Sequence, residues 1–429
     1  MLPKIIDYLK DKSVLVLGFG REGQSTVKYI RDFLPEKKLV VADKNGLSLD
    51  DENIEVICGE NYLDCVNDFD LVMKSPGISF KNVEVKGDTE VSCQVDLFLR
   101  FAPCRKIGIT GSKGKTTTST LTYEMLKSAG FDARLIGNIG IPVFETLETL
   151  TDDTVAVIEM SSHQLEFTRT SPEIAILTNV YEEHLDHYKG GFEGYLNAKL
   201  NIMRYQKDGN VFIYNETQGI EQYIDLGSTK AQKIGVGAYD ALPFEIKNEH
   251  LLGGHNRHDV LFAYNAAKAF GADDLACEKG VENFSGIEHR MEKVGTFRGI
   301  TFYNDCIATI PHAVECAVEA LKTVDTLIIG GKDRGIDYSE FVDYLGNCSV
   351  RNIIGTPETG HSIAEKMLEK GFKKNIVKAE NLEQAVIKAY ELTEIDKICL
   401  LSPAASSYNV YKNFEEKGRH YKELIEKYK

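Results

Sequence analysis

Lys106-Ile107-Gly108-Ile109, continued by Thr110-Gly111-Ser112-Lys113-Gly114-Lys115-Thr116-Thr117, is a short apolar run that turns through glycines into a helix-like segment, Lys115 to Ala129. Glycines and the free amides of a helix N-terminus can wrap phosphate, Lys115 can reach terminal phosphates, and the Thr116 hydroxyl can ligate magnesium. The strict P-loop spacing is not met, because the upstream glycine is Gly108 and Ile stands at 109. A Gly-Lys-Thr entering a helix directly after a strand nevertheless reads as a phosphate site ahead of a simple turn, with ATP the first nucleotide to consider. The expected contacts are Gly111, Ser112, Lys113, Gly114, Lys115, Thr116 and Thr117.

The same alternation of apolar strand and amphipathic segment extends in both directions. Upstream, Val14 to Leu17, the helix-like Glu22 to Phe33 and Leu39 to Ala42 form a βαβ opening. Downstream come strands Val155 to Met160 and Ile174 to Val180, and a helix-like Phe192 to Gln206. From about Gly286 the rhythm repeats, with strands at Ile300 to Tyr303, Leu327 to Ile329, Asn352 to Ile354 and Ile398 to Leu401. A chain of 429 residues is too long for one core, and each block has the size of a small domain. The expectation is an α/β protein of three domains: a Rossmann-like domain at 1–100, a P-loop-type ATPase domain at 101–287 and a second Rossmann-like domain at 288–429.

A formal net charge of -15 opposes broad contact with nucleic acid or anionic lipid, so bound anions must be held locally. Met1 to Lys12 lacks the apolar core of a signal peptide, and no apolar run is long enough to span a bilayer. Nine cysteines are scattered with no Cys-x-x-Cys pair, which fits reduced thiols in a cytoplasmic enzyme.

A second glycine motif, Gly18-Phe19-Gly20-Arg21-Glu22-Gly23, also sits between a strand and a helix, and Asp43 closes the next strand. The glycines let amides approach a diphosphate, while Asp43 can accept a ribose hydroxyl. Such a motif also serves tight turns and does not say which nucleotide is bound. Glu159, ending an apolar strand, and the run Glu182-Glu183-His184-Leu185-Asp186-His187 offer ligands to hydrated magnesium. Taken alone, that run is an ordinary solvated loop. Lys199, His289-Arg290, Asn304-Asp305 and Asp333-Arg334 are not singled out by periodicity or spacing.

The order of Gly-Ser-Lys-Gly-Lys-Thr-Thr, then Glu159-Met160-Ser161-Ser162-His163-Gln164-Leu165-Glu166, then Asn179 to Asp186, then Ala198-Lys199-Leu200 resembles the Mur ligase family. The likeness runs over nearly the whole chain. Leu401-Ser402-Pro403-Ala404-Ala405-Ser406-Ser407-Tyr408, with Lys412-Asn413-Phe414-Glu415-Glu416-Lys417-Gly418, resembles the branch that adds D-glutamate to UDP-N-acetylmuramoyl-L-alanine in peptidoglycan precursor synthesis. The resemblance implies an ATP-dependent carboxylate-amine ligase that works through an acyl phosphate.

It further implies that Gly18, Gly20, Arg21, Asp43 and Ser75-Pro76-Gly77 bind the UDP-sugar, with Asn138 on its sugar-peptide arm and Ser161, Gln164 and His184 also binding substrate. Lys115 would contact the phosphates, while Thr116, Glu159, His184 and Lys199 would hold two magnesium ions, Lys199 matching the lysine that the family carbamylates. Asn256, Arg290 and Asp305 would face ATP, and Thr309, Arg334, Ser407 and Phe414 the glutamate. The catalytic set carried over is Lys115, Lys199, His184 and Asp305, in a monomer.

Four positions depart from the family pattern. Ile307 and Arg334 stand where lysines are usual on the amino-acid side, and Asp259 and Lys113 stand where Asn is common. Arg334 can hold a carboxylate bidentately, whereas Ile307 supplies no cation. The rival readings are a related ligase with another acceptor or amino acid, such as L-glutamate, a folylpolyglutamate synthase, a nicotinamide-dependent oxidoreductase fused to an ATPase, and a nucleotide-sensing regulator without turnover. The UDP-type first block argues against folate.

Overall fold

A computed structural model describes residues 3–137, 142–223, 229–251 and 254–429. Three sheets organise the chain. In the first, β1 (Val14–Leu17), β2 (Leu39–Asp43), β3 (Ile54–Cys58), β4 (Leu71–Lys74) and β5 (Glu90–Ser92) run parallel in the order β3-β2-β1-β4-β5. β1 and β4 are buried throughout, as parallel strands covered on both faces must be.

The second sheet is also parallel. It contains β6 (Arg105–Thr110), β7 (Asp132–Gly137), β8 (Thr154–Glu159), β9 (Ile174–Leu177), β10 (Val211–Asn215) and β11 (Gln232–Val236), in the order β11-β10-β9-β6-β8-β7. Chain direction across the sheet reverses beside β6, so the carboxyl end of β6 opens at a topological switch point, where α/β sheets bind ligands. The helix Lys115–Ser128 begins there.

The third sheet joins β12 (Glu292–Phe297), β13 (Ile300–Asn304), β14 (Val324–Ile329), β15 (Asn352–Gly355), β16 (Asn375–Lys378) and β17 (Ile398–Leu401), in the order β12-β13-β17-β14-β15-β16. Only the edge pair β12–β13 is antiparallel. The first two sheets share one compact unit, Met1–Phe284, and the third forms another, Ser285–Lys429. All nine thiols are free. Among the described residues no helix is long and apolar enough to cross a membrane.

One expected strand is shortened. Ile174 to Val180 reads as continuous strand, but β9 stops at Leu177. Beyond it Thr178 Oγ1 donates to the Lys113 carbonyl at 2.6 Å, and Asn179 Oδ1 accepts the Lys113 amide at 2.8 Å. These side chains satisfy the glycine turn rather than a neighbouring strand, a preference Thr and Asn share in loops.

Candidate active site

The glycines after β6 are there for space as well as torsion. Gly111 has φ +155°, and a Cβ on it would lie 1.9 Å from Thr178 Oγ1. Gly114 caps the helix in the left-handed region at φ +81°, where a Cβ would lie 2.3 Å from Asp259 Oδ1. Gly114→Ala therefore combines backbone strain with a clash, and is expected to cost about 1–3 kcal/mol in denaturant unfolding while weakening nucleotide binding.

Asn179 braces the turn. Its carbonyl accepts the Ser112 amide at 3.0 Å and its side chain accepts the Lys113 amide. The Ser112 hydroxyl is engaged with the Tyr195 hydroxyl at 2.6 Å and with the Tyr181 amide at 2.9 Å. Ser112 and Lys113 thus shape the loop, and the first-turn amides around Thr116 and Thr117, which have no partners within the helix, are the groups there that could meet an anion. Sequence reading places the Lys113 charge at the phosphates; in the structure its ammonium pairs with Glu183 at 2.6 Å, so that charge is offset by a carboxylate. Asp259 is buried and accepts from Thr118 Oγ1 at 3.3 Å, beside Gly114.

Two lysines converge on one carbonyl. Lys115 Nζ donates to Gly111 O at 2.9 Å and to Ser112 O at 3.0 Å, while Lys199 Nζ donates to Gly111 O at 2.7 Å. Lys199 projects from the helix Phe192–Arg204 and is 2% exposed, with its ammonium 4.7 Å from the centre of the Tyr195 ring. Burial, reinforced by the Lys115 charge, drives the Lys199 amine well below the usual lysine range, against the pull of Glu183 and Glu159. Glu159 ends β8, the strand beside β6, and is buried. His184 lies in an exposed turn with φ 54°, its pKa lowered by partial desolvation of the ring and by the Lys199, His187 and Lys115 charges, against the pull of Glu183. Asn256 lies in the first turn of the helix Gly254–Phe270, which also carries Asp259.

At the first sheet, Ser75 Oγ donates to Gly18 O at 2.9 Å, joining the loops after β1 and β4. Asp43 Oδ2 accepts the Phe19 amide and Asp43 Oδ1 the Asn45 amide, each at 2.8 Å, so this carboxylate braces the turn containing Gly18 and Gly20. Pro76 and Gly77 continue the second loop, and Arg21 opens the helix Arg21–Phe33. Gln164 and Ser161 form a capping box, and Gln164 Nε2 reaches Glu22 Oε1 at 2.7 Å, tying the second sheet to the first. Asn138 lies outside the described residues.

In the second compact unit Asp305 follows β13 and is 4% exposed. Its carboxylate accepts Ser402 Oγ at 2.7 Å and the Met291 amide at 3.1 Å, and lies in the field of Arg290, yet burial raises its pKa from 3.8 to about 6. A raised carboxyl pKa favours the folded state below pH 4, and that advantage is lost as pH rises through 6. Asp305→Asn is accordingly expected to raise stability at pH 8 by up to about 3 kcal/mol, to leave it unchanged below pH 4, and to abolish activity. Thermal melts at the two pH values test the sign.

Near this group, the Phe414 ring, at the start of the helix Phe414–Tyr428, lies 6.0 Å from the His289 ring. Thr309 and Ile307 are half-buried after β13, and Arg334 is exposed in the loop after β14. The Ser406 and Ser407 hydroxyls are both buried and find no hydrogen-bond partner among the described residues. The Ser406 carbonyl accepts the Lys332 amide at 2.7 Å, which roots this pair against the loop that bears Arg334. Two buried, unmatched hydroxyls are costly unless a ligand meets them. Sequence reading names Ser407 and misses Ser406, since a Ser-Ser pair carries no signal of burial.

Two family models match the chain: the Mur ligase middle domain over residues 109–259 and the Mur ligase glutamate ligase domain over residues 289–405. A UDP-N-acetylmuramoylalanine–D-glutamate ligase of Halalkalibacterium halodurans is 32% identical over 450 residues, covering 99% of each chain. Its counterpart in Geobacillus kaustophilus is 34% identical, covering 98% of this chain and 99% of the relative. Among solved structures, a MurF ligase from Thermotoga maritima in complex with ADP shares the fold with a TM-score of 0.58 at 14% identity, over 98% of this chain and 97% of that one.

Proposed function

This chain belongs to the Mur ligase family, and from that premise we propose that it is the ATP-dependent ligase that adds D-glutamate to UDP-N-acetylmuramoyl-L-alanine for peptidoglycan precursor synthesis in the cytoplasm. In this reading the chain acts as a monomer of three domains, 1–100, 101–287 and 288–429, that hold UDP-sugar, ATP and amino acid in turn.

The observation that carries the chemistry is the pair of lysines on Gly111 O. A buried amine that prefers to be neutral is a nucleophile for carbon dioxide: its lone pair forms the N–C bond, one proton leaves, and a carbamate anion results. Carbamylation would replace a cation repelled by Lys115 with an anion attracted to it, so Lys199 is suited to the modification. The donor set of Thr116, Glu159 and a carbamylated Lys199 offers hard oxygens, with a neutral His184 nitrogen nearby, and fits one or two magnesium ions. When bound, magnesium would supply charge neutralisation at the transferring phosphoryl group.

A carboxylate is a poor acyl donor. Its oxygen would attack the γ-phosphorus of ATP in line, with the bond to ADP breaking, to give an acyl phosphate. Lys115 and the first-turn amides of its helix lie ready to offset the charge that develops on the transferred oxygens. The glutamate amine then attacks the acyl carbon, loses a proton, and phosphate departs with the C–O electron pair. Asp305, Arg290 and Asn256 are assigned to the ATP side; Gly18, Gly20, Arg21, Asp43 and the Ser75-Pro76-Gly77 loop to the UDP-sugar; and Thr309, Arg334, Ser407 and Phe414 to glutamate. Ser406 joins the last group through its unmatched hydroxyl.

The serine pair gives a direct test. Ser407→Ala is expected to raise KM for D-glutamate about tenfold with KM for ATP unchanged, about the effect of one hydrogen bond to a charged group. Steady-state kinetics showing an unaltered glutamate KM would place the amino acid elsewhere. Half-buried Ile307 favours a second reading, a relative that takes another amino acid such as L-glutamate, because it presents no cation to a side-chain carboxylate.

A further inference from the structure

A polar seam that the mechanism above does not use runs between the first and second sheets. Lys74, the last residue of β4 and the neighbour of Ser75, is 4% exposed, with its ammonium 5.6 Å from the centres of the Phe80 and Phe167 rings. It pairs with Glu166 Oε2 at 3.3 Å, and the same oxygen lies 3.9 Å from His187 Nε2. Ser79, two residues past Gly77, donates its hydroxyl to the His187 carbonyl at 2.5 Å. The His187 amide in turn donates to His184 O at 3.0 Å, closing the turn that holds His184 at φ 54°. The His163 ring lies against both, 4.1 Å from His187 and 4.8 Å from His184.

Two continuous links thus connect the Ser75-Pro76-Gly77 loop to His184. One passes through Ser79 and the backbone of His187, the other through Lys74, Glu166 and the His187 ring. Lys74 Nζ, Glu166 Oε2, His163 Nε2 and His187 Nε2 are all buried without an aligned hydrogen bond among the described residues. Glu166 Oε2 lies 3.3 Å from Lys74 Nζ without hydrogen-bond alignment and 3.9 Å from His187 Nε2, beyond hydrogen-bond reach, so a small shift of the loop after β4 would let the network close.

We propose that Ser79 and His187 are positioning residues, which fix the His184 turn from the acceptor-binding loop so that acceptor bound at the first sheet tightens the nucleotide–metal site at the second. This rests on the ligase reading. Such coupling is reciprocal, and ordinarily reaches at least fivefold where two sites share a bistable element.

The test measures binding without turnover. Free Mn2+ is followed by electron paramagnetic resonance while the chain is titrated with Mn2+ and a non-hydrolysable ATP analogue, with and without UDP-N-acetylmuramoyl-L-alanine. In the unaltered chain the acceptor is expected to tighten Mn2+–nucleotide binding at least about fivefold. Ser79→Ala and His187→Phe, the latter keeping a ring against His163, should reduce that factor below about twofold, while Ser79→Thr retains it. Affinities for each ligand alone should stay within about twofold in all variants. Unchanged coupling in a folded Ser79→Ala chain overturns the proposal, as does absence of coupling in an unaltered chain that turns over. Calorimetry showing that the unaltered chain does not bind the acceptor at all overturns the ligase reading itself, and this inference with it.

Discussion

Lys115→Ala is expected to lower kcat about a thousandfold, or about 4 kcal/mol of transition-state stabilisation, while the chain stays folded. The Lys115 ammonium rests on the carbonyls of Gly111 and Ser112 in the glycine turn, where the proposed mechanism has charge develop. Removing one preorganised donor from such a site typically costs two to three orders of magnitude. The side chain is only half-buried, so the melting temperature should change little. The substitution has a second consequence. Lys115 is the largest charge that depresses the Lys199 pKa, so its loss should let Lys199 keep its proton to higher pH and resist carbamylation. Lys115 and Lys199 variants should therefore be strongly non-additive.

Lys199→Met is expected to match that loss in activity and to differ in stability. The Met side chain is about as long and brings no charge into a site that is 2% exposed. A depressed lysine pKa means that the unfolded chain binds the proton more tightly, so lowering pH through the folded-state pKa destabilises the native lysine form. Lys199→Met is free of that cost. At neutral pH it should be at least as stable as the parent in denaturant unfolding, yet inactive. Removing carbon dioxide and bicarbonate from the unaltered enzyme should lower its activity reversibly, and a carbamate carbonyl signal should appear on addition of 13C-bicarbonate. Full activity of Lys199→Met would exclude any role for a charged group there.

Much of this site is legible in sequence because it is local. Gly111, Gly114, Lys115 and Thr116 follow one strand and open one helix, so a Gly-Lys-Thr in that context suggests a phosphate turn even without strict P-loop spacing, and Gly18 to Gly23 likewise suggests a nucleotide turn. What spacing cannot carry is convergence between distant segments. Lys199 lies 88 positions from the carbonyl it bonds, and only the fold shows that its helix buries it there. Resemblance to the family, rather than any pattern in the residues, singled it out. Lys74 and Ser79 are invisible in sequence for the same reason, and Glu166 and His187 stand there only as members of longer runs, until β4 meets the turn after β9. The early end of β9 has the opposite cause: Val180 lets the strand reading run past Leu177, but the intervening Thr178 and Asn179 turn their polar side chains to the glycine turn. Asp43 shows how one residue type fits two roles, since its carboxylate oxygens brace the first glycine turn as firmly as they would hold a ribose.

The central claim is tested by phosphate release from ATP with UDP-N-acetylmuramoyl-L-alanine, run with D-glutamate, with L-glutamate and with neither. Release that requires the acceptor and D-glutamate together, in step with formation of the new amide, is the predicted result. Preference for L-glutamate would keep the ligase and contradict its assigned substrate, and silence under all conditions by a folded, ATP-binding protein would contradict the ligase.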